Sequence, residues 1–137
     1  MSELKFLVVD DSVTIRRIIM NTLKTIGYAD VIEACHGIDA LEKIAGGRVD
    51  FIITDWNMPE MNGLEFTRSV RANGSTADIP ILMITTRGTE NDVVEALDAK
   101  VSSYIVKPFT PQELKDKIES IIKTTLLPAG ASVSEQP

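Results

Sequence analysis

Five short runs of apolar, often β-branched residues recur along this chain, and a segment with helical spacing follows each of them. The runs are Phe6–Val9, Val31–Cys35, Phe51–Thr54, Ile81–Ile84 and Tyr104–Val106. Because polar residues hardly interrupt them, these runs are typical of strands covered on both faces, as the strands of a parallel sheet are. A strand–helix alternation repeated five times predicts an α/β fold, with an open parallel sheet, right-handed crossovers and helices on both faces.

The segments between the runs place apolar residues three and four positions apart, which is the spacing of one helix face. The first such stripe, which begins near Ile15, stops at Gly27, and glycine is a typical residue at a helix end. The fifth segment has the clearest start, because Thr110 can cap the helix, Pro111 suits its first position and Glu113 completes a capping box. Three further helices are expected around Leu41–Ala45, Leu64–Val70 and Val93–Leu97.

The length of 137 residues accommodates one domain of ordinary size, which we assign to residues 1–126. The last segment, residues 127–137, is rich in Pro, Ala and Ser and is predicted to be a disordered tail. The single cysteine, Cys35, excludes an internal disulfide. At the end of an apolar run, Cys35 is expected to be buried as a small hydrophobic residue.

The charge balance argues against nucleic acid and membrane surfaces as ligands. The chain has 14 Lys and Arg against 20 Asp and Glu, which gives a formal charge of −6. Binding to phosphate backbones and to anionic lipids depends on Lys and Arg. The sequence contains no run of about 18 apolar residues that could span a bilayer, and its N-terminal residues lack the features of a secretion signal. We therefore expect a cytoplasmic protein that does not insert into membranes.

Polar and charged side chains follow four of the five predicted strands. They are Asp10 and Asp11 after the first, Asp55 after the third, Thr85 after the fourth and Lys107 after the fifth. Because the carboxyl ends of parallel strands meet at one edge of the sheet, where such folds bind ligands, these side chains are expected to converge. Each one alone could be a helix cap or a turn residue. Three carboxylates, a hydroxyl and an ammonium together favour a functional site.

Such a cluster must hold either protons or a cation. Two carboxylates about 4 Å apart repel by roughly 4 kcal/mol at an effective dielectric constant near 20. Mg²⁺ is the natural counterion, because it prefers oxygen ligands and keeps coordination positions for water or phosphate oxygens. The single ammonium of Lys107 does not neutralise three carboxylates. The sequence therefore predicts a metal-assisted anion site, and a phosphoryl group is the anion most often bound in this way.

The phosphoryl acceptor is predicted to be Asp55. A carboxylate can act as a nucleophile and form an aspartyl phosphate. Asp10 and Asp11 are adjacent and suited to bind a metal together, whereas Asp55 stands alone on the central strand. Phosphoryl transfer depends mainly on positioning and charge neutralisation. Mg²⁺ and Lys107 would neutralise the phosphoryl group, and the Thr85 hydroxyl would donate a hydrogen bond to it.

Four sequence blocks point to a family. They are VVDDS at the first turn, DWNMPEMNGLE from Asp55 to Glu65, LMITT at the fourth strand and YIVKPF from Tyr104 to Phe109. In this order and at these distances they resemble the receiver domain of response regulators, and more narrowly the CheY-like single-domain regulators of chemotaxis. The resemblance runs from Lys5 to about Lys123. It implies a doubly wound, flavodoxin-like fold with strand order 2-1-3-4-5.

The resemblance implies metal-binding and acceptor roles for matching residues. Asp55 matches the phosphorylated aspartate, and Asp10 and Asp11 match the acidic pair that binds Mg²⁺ with it. The backbone carbonyl of Asn57 matches the remaining protein ligand of the metal. We also expect the side chains of Asn57 and Arg87 to flank the phosphoryl group and to control the attack of water on it.

The resemblance also implies a conformational switch. Thr85 matches the switch hydroxyl, Tyr104 the switch aromatic and Lys107 the lysine of the pocket, with a cis peptide before Pro108. Phosphate at Asp55 would draw Thr85 inward, and Tyr104 would fill the vacated space. The surface formed by the fourth helix, fifth strand and fifth helix would then change.

The partners that the resemblance implies are those of a two-component system. A sensor histidine kinase of the CheA type would donate the phosphoryl group, and the chain itself would be a monomeric switch rather than an enzyme, losing the group by slow self-hydrolysis. Its effect would come from a downstream protein that binds the switching face, with the flagellar motor switch as the leading candidate and a phosphatase as a further partner. The alternative is a phosphorelay intermediate or a regulator outside chemotaxis.

Other α/β phosphate-binding proteins fit less well. In phosphatases of the haloacid dehalogenase type, one residue separates the two aspartates after the first strand, whereas Asp10 and Asp11 are adjacent. A flavodoxin-like cofactor binder would need a Ser/Thr/Gly-rich loop at that position. The chain departs from the usual receiver pattern at Lys100-Val101, where Gly-Ala is common, and a different helix end is expected there. Ser12 and Arg87 also depart from the best-known relative, which has an aromatic and an acidic residue at these positions.

Overall fold

Strands and helices alternate throughout the computed structural model, which describes residues 4–126. The strands are β1 (Phe6–Val9), β2 (Val31–Ala34), β3 (Phe51–Thr54), β4 (Ile81–Thr85) and β5 (Ser103–Val106). The helices are α1 (Val13–Thr25), α2 (Gly37–Ala45), α3 (Gly63–Ala72), α4 (Glu90–Asp98) and α5 (Pro111–Ile121), and a π-helical segment, Ile122–Leu126, continues α5. The predicted alternation is confirmed.

The five strands form one parallel sheet in the order β2-β1-β3-β4-β5. Val8 at the centre of β1 pairs with Glu33 of β2 on one side and with Ile53 of β3 on the other. This is the doubly wound order that the family resemblance implies, and the fold class is confirmed. The strand order reverses between β1 and β3, so the carboxyl ends of these two strands border the crevice where such folds place their sites.

Two hydrophobic layers cover the sheet, because successive side chains of a strand point to opposite faces. In β1, Phe6 and Val8 belong to the layer covered by α1 and α5. Leu7 and Val9 belong to the opposite layer, covered by α2, α3 and α4. All four residues are at most 1% exposed. Burial on both faces explains the uninterrupted apolar run, and it holds the end of β1 in place where Asp10 follows.

Every helix from α1 to α5 begins at a side chain that accepts a backbone hydrogen bond. The N-cap residues are Ser12, His36, Asn62, Thr89 and Thr110. The predicted capping box between Thr110 and Glu113 is present, with Pro111 in the first turn. Two to four residues separate each strand from the helix that follows it, except between β3 and α3, where residues 55–62 form a longer loop at the edge of the sheet where the site lies.

Two helices end at a residue in the left-handed conformation. Gly27 follows α1 with φ of 107°, a value that glycine adopts without a Cβ clash, and Lys100 follows α4 with φ of 74°. The Val101 N–H donates to the Ala96 carbonyl at 3.3 Å, which is the bond that closes this type of helix end. The expectation of a different helix end at Lys100 is therefore wrong. A side chain in this conformation costs roughly 1 kcal/mol.

The prediction that Cys35 is buried is also wrong. β2 ends at Ala34, so Cys35 lies in the turn before α2 and is exposed. Its N–H donates to Asp39 Oδ2 at 3.1 Å, which connects it to α2 rather than to the sheet. An apolar run in the sequence does not show at which residue the strand ends.

Residues 1–3 and the predicted tail, 127–137, lie outside the described residues. The domain boundary at residue 126 and the disorder of the tail stay predictions. Between residues 4 and 126, none of the helices has the length and apolar character needed to cross a bilayer.

Candidate functional site

The ends of β1 and β3 bring three carboxylates together. The Asp10 N–H donates to the Ala34 carbonyl at 3.1 Å, and the Asp55 N–H donates to the Val9 carbonyl at 2.9 Å, so both aspartates continue the sheet pairing by one residue. Side-chain oxygens of Asp10, Asp11 and Asp55 all lie within 4.8 Å of one another. The predicted convergence of residues 45 positions apart in sequence, from 10 to 55, is thus present in the structure.

Asp55 is the carboxylate at the centre of the cluster. It is 7% exposed, and its Oδ1 accepts the Trp56 N–H at 2.7 Å. The ammonium of Lys107 lies 3.4 Å from its Oδ2. Burial raises the pKa of Asp55 and the charge of Asp10 raises it further, while Lys107 and the Trp56 N–H lower it only in part. Asp55 therefore lies where an additional cation would stabilise its ionised form.

Asp10 and Asp11 differ in exposure. Asp10 is 2% exposed, accepts the Ser12 N–H at 2.9 Å and lies 3.2 Å from the Lys107 ammonium. Asp11 is exposed to solvent. A buried and an exposed carboxylate beside Asp55 form an oxygen-only donor set that is open on one side, and such a set suits Mg²⁺ with its retained waters. The residues present therefore fit the predicted ion.

The loop after β3 packs closely against Asp55. Gly63, the first residue of α3, donates its N–H to the Trp56 carbonyl at 2.8 Å. A Cβ at Gly63 would lie 1.9 Å from the Asp55 carbonyl oxygen, so only glycine fits this approach. Within the loop, Glu60 has φ of 65°, and the Met61 N–H donates to the Pro59 carbonyl at 2.7 Å. This tight turn fixes the path of the chain that carries Asn57.

Thr85 and Lys107 lie at the ends of neighbouring strands. Thr85 is fully buried, and its carbonyl accepts the Lys107 N–H at 2.7 Å. The hydroxyl of Thr85 accepts the Arg87 N–H at 3.2 Å. The peptide between Lys107 and Pro108 is cis, as the family resemblance implies. Lys107 thereby reaches Asp10 and Asp55, which are 97 and 52 positions away in sequence.

Arg87 forms hydrogen bonds with Asn57 and Tyr104, two further residues of the predicted site. Its Nε donates to Asn57 Oδ1 at 3.0 Å, and its guanidinium lies 4.5 Å from the centroid of the Trp56 ring. Its backbone carbonyl accepts a hydrogen bond from the Tyr104 hydroxyl. Burial and the negative charge of Asp92 raise the pKa of Tyr104, so this hydroxyl remains a donor. Arg87 therefore contacts the loop after β3 and, through its backbone, both predicted switch residues.

Sequence reasoning missed Asp92 as a partner of Arg87. Asp92 Oδ1 lies 3.4 Å from Arg87 Nη1. In the sequence, Asp92 is one of two acidic residues in the first turn of α4, and acidic residues are common there because they complement the helix dipole. No local signal distinguishes Asp92 from Glu90 in this respect.

Comparison with known proteins agrees with this geometry. Residues 6–119 match the family described as the response regulator receiver domain. The chain belongs to this family. The receiver domain is 57% identical over 122 residues to the chemotaxis protein CheY1 of Helicobacter pylori strain J99, and the match covers 88% of this chain and 98% of that protein.

Solved structures give the same result. CheY4, a chemotaxis response regulator of Vibrio cholerae, is similar with a TM-score of 0.82 at 38% identity, and the match covers 88% of this chain and 99% of that chain. The receiver domain of a sensor histidine kinase from Pseudomonas aeruginosa PAO1 has a TM-score of 0.78 at 28% identity, covering 87% and 97%, and holds a magnesium ion in its active site cleft. The predicted family is confirmed, and the chain is a CheY-like response regulator of the chemotaxis type.

Proposed function

We propose that this receiver domain is a phosphorylation-activated switch, in which Asp55 accepts a phosphoryl group with Mg²⁺ bound at the acidic cluster. One observation carries the proposal: three carboxylates lie within 4.8 Å of one another, with a single ammonium bridging two of them. Like charges brought this close destabilise a fold unless a carboxylate takes up a proton or a cation binds between them. The magnesium ion in the active site cleft of the Pseudomonas receiver domain supports the same assignment.

The proposed step transfers a phosphoryl group from a phosphohistidine of a CheA-type sensor kinase. An Asp55 oxygen attacks phosphorus, a P–O bond forms, and the P–N bond breaks with its electron pair going to the imidazole, which takes up a proton. Lys107, 3.4 Å from Asp55 Oδ2, neutralises charge on the transferred group. Mg²⁺, held by Asp10, Asp11, Asp55 and the Asn57 carbonyl, would supply further neutralisation when bound. The chain itself is a phosphoryl acceptor and not an enzyme in this proposal.

The switch in this proposal runs through Thr85 and Tyr104. The Thr85 hydroxyl is fully buried at the end of β4, next to the strand that carries Asp55. When it donates to a phosphoryl oxygen, the segment that begins with Arg87 moves with it, because the Arg87 N–H is bonded to the same hydroxyl. The Arg87 carbonyl holds the Tyr104 hydroxyl, so the movement reaches β5.

The output surface in this proposal is the face of α4, β5 and α5. Val94 and Leu97 of α4 are 61% and 52% exposed, and Val106 of β5 is 41% exposed. Exposed apolar residues of this kind, close to the switch, suit a protein partner. The chemotaxis names of the relatives favour the flagellar motor switch as that partner, with a phosphatase as a further one. A phosphorelay intermediate would use the same acceptor but would not need this face.

Titration with Mg²⁺ and beryllofluoride, a phosphoryl mimic, tests the proposal. Trp56, the only tryptophan of the chain, follows Asp55 directly and reports on the site by its fluorescence. A saturable change in emission is expected for the wild type, and none for Asp55→Asn. The control variant Asp30→Asn, which precedes β2 at the opposite edge of the sheet, should respond like the wild type. An equal response of Asp55→Asn would contradict the proposal.

A further inference from the structure

Arg87 is held by α4 as well as by the loop after β3. Its Nη1 lies 3.4 Å from Asp92 Oδ1, while its Nε donates to Asn57 Oδ1 at 3.0 Å. The guanidinium lies over the ring of Trp56, 4.5 Å from its centroid. Asp92 is itself fixed, because its N–H donates to the Thr89 hydroxyl at 3.1 Å. One cation is therefore shared between the loop after β3 and the first turn of α4.

We infer that Asp92 is a positioning residue that draws the Arg87 guanidinium toward α4 and thereby shortens the lifetime of a phosphoryl group on Asp55. The inference rests on the proposed function, since it requires Asp55 to be phosphorylated. Asp92 makes no contact with the acceptor in this scheme. It acts only through Arg87.

A phosphoryl group on Asp55 competes with Asp92 for this cation. A protein-bound phosphoryl group carries a charge of about −1.5 to −2 near neutral pH and offers three acceptor oxygens. The planar fork of a guanidinium matches such oxygens in a bidentate arrangement. Asn57 and Trp56 lie within two residues of Asp55, so the contacts to them keep the guanidinium beside the acceptor. The contact with Asp92 draws the guanidinium toward α4 and away from Asp55.

The reaction that this competition controls is hydrolysis of the aspartyl phosphate. Water attacks phosphorus and forms a P–O bond, and the bond between phosphorus and the Asp55 oxygen breaks. The Asp55 carboxylate is restored, and the proton lost by the water goes to the released phosphate or to solvent. Asn57 and Arg87 are exposed at the rim of the site, on the side that solvent reaches. A guanidinium bound to the phosphoryl oxygens occupies this rim and hinders the approach of water.

Measured lifetimes of the phosphorylated protein test the inference. The protein is phosphorylated with acetyl phosphate and Mg²⁺, the donor is removed, and the remaining phosphoprotein is followed on a phosphate-affinity gel. Asp92→Asn should lengthen the half-life at least about threefold, within the range that a partly exposed ion pair supplies. The same substitution in an Arg87→Ala background should change nothing. Glu90→Gln removes a charge from the same helical turn without contacting Arg87, and it should keep the wild-type half-life.

The fluorescence of Trp56 gives a second measurement, which does not depend on phosphorylation. If Asp92 draws the guanidinium toward α4 and away from the indole, Asp92→Asn should change the emission of the unmodified protein, and Glu90→Gln should not. An unchanged emission of Asp92→Asn would overturn the inference.

The outcomes separate the two proposals. If acetyl phosphate does not label the wild type, the proposed function fails. If it labels the wild type and Asp92→Asn has an equal or shorter half-life, only the inference about Asp92 fails. A longer half-life that persists in the Arg87→Ala background would also overturn it, because Asp92 would then act without Arg87.

Discussion

At the scale of single residues, the charge of Asp55 affects the stability of the folded protein. Burial and the Asp10 charge raise the pKa of Asp55 more than Lys107 and the Trp56 N–H lower it. In the folded protein the carboxyl therefore binds a proton more tightly than in the unfolded chain. An ionised Asp55 destabilises the native state when no cation is bound.

Asp55→Asn is expected to be more stable than the wild type near neutral pH in the presence of a chelator, because the substitution removes the unfavourable charge. Between the usual Asp pKa of about 3.9 and the raised value, the folded state binds more protons than the unfolded state. Lowering the pH through this window therefore reduces the advantage of the variant. Urea unfolding at neutral pH and at stepwise lower pH measures both effects. A variant no more stable than the wild type at neutral pH would contradict the assigned electrostatics.

Mg²⁺ should reverse this order of stability. A ligand that binds only the folded state stabilises it by about 2.7 kcal/mol at one hundred times its Kd. The wild type and the control Asp30→Asn should gain this stability, whereas Asp55→Asn and Asp10→Asn should lose most of the gain. Equal stabilisation of all four proteins by Mg²⁺ would place the ion elsewhere.

At the scale of elements, Gly63 at the start of α3 allows the close packing of the loop that follows Asp55. A Cβ there would lie 1.9 Å from the Asp55 carbonyl oxygen. Gly63→Ala must therefore displace backbone, and we expect it to destabilise the protein by about 1–3 kcal/mol and to slow labelling by acetyl phosphate. Gly47→Ala is the control, because a Cβ at Gly47 meets nothing within 4 Å. Unchanged stability and labelling of Gly63→Ala would contradict the close packing of this loop.

The end of α4 stores backbone strain at Lys100, whose φ is 74°. Lys100→Gly should raise the free energy of unfolding by about 1 kcal/mol, because glycine adopts this conformation without a Cβ clash. Lys100→Ala keeps the Cβ and should bring no such gain. Thermal unfolding of the two variants beside the wild type measures the difference. Equal melting temperatures for the glycine and alanine variants would show that the position is not strained.

The sequence predicts most elements because their signals are local. The apolar run of β1 and the cap at Thr110 depend on neighbouring residues alone, and both lie where they were expected. The strand order was predicted from the family resemblance rather than from the runs themselves. Cys35 and Lys100 were misjudged because exposure and a helix end depend on where the chain turns. The contact between Asp92 and Arg87 depends on tertiary placement that no local pattern shows.

At the scale of the whole molecule, the parallel sheet joins the proposed acceptor, Asp55, to the surface formed by α4 and β5. The ends of β1, β3, β4 and β5 lie at one edge, and Lys107 reaches across it to Asp10 and Asp55. Tyr104 of β5 is bonded to the backbone of Arg87, whose side chain contacts Asn57. A charge change at Asp55 is therefore connected to α4 and β5 through a few direct contacts.

Leu97→Ala should weaken binding of the activated protein to its target without affecting phosphorylation. Leu97 is 52% exposed on α4, and truncation of an apolar interface residue often costs about 1–2 kcal/mol of binding free energy. Ile38→Ala, which truncates a 41% exposed residue on α2, is the matched control. Calorimetry with the beryllofluoride-bound protein and a motor switch protein of the same organism measures both. Weaker binding of Ile38→Ala alone would place the output face on α2.

Intact-mass spectrometry after incubation with acetyl phosphate tests most directly whether Asp55 is a phosphoryl acceptor. With Mg²⁺ present, the wild type is expected to gain a single labile phosphoryl group, which peptide mapping assigns to Asp55. Asp55→Asn and the wild type with a chelator should remain unlabelled. Failure of the wild type to gain the group, or equal labelling of Asp55→Asn, would contradict the proposal that Asp55 accepts a phosphoryl group with Mg²⁺ bound at the acidic cluster.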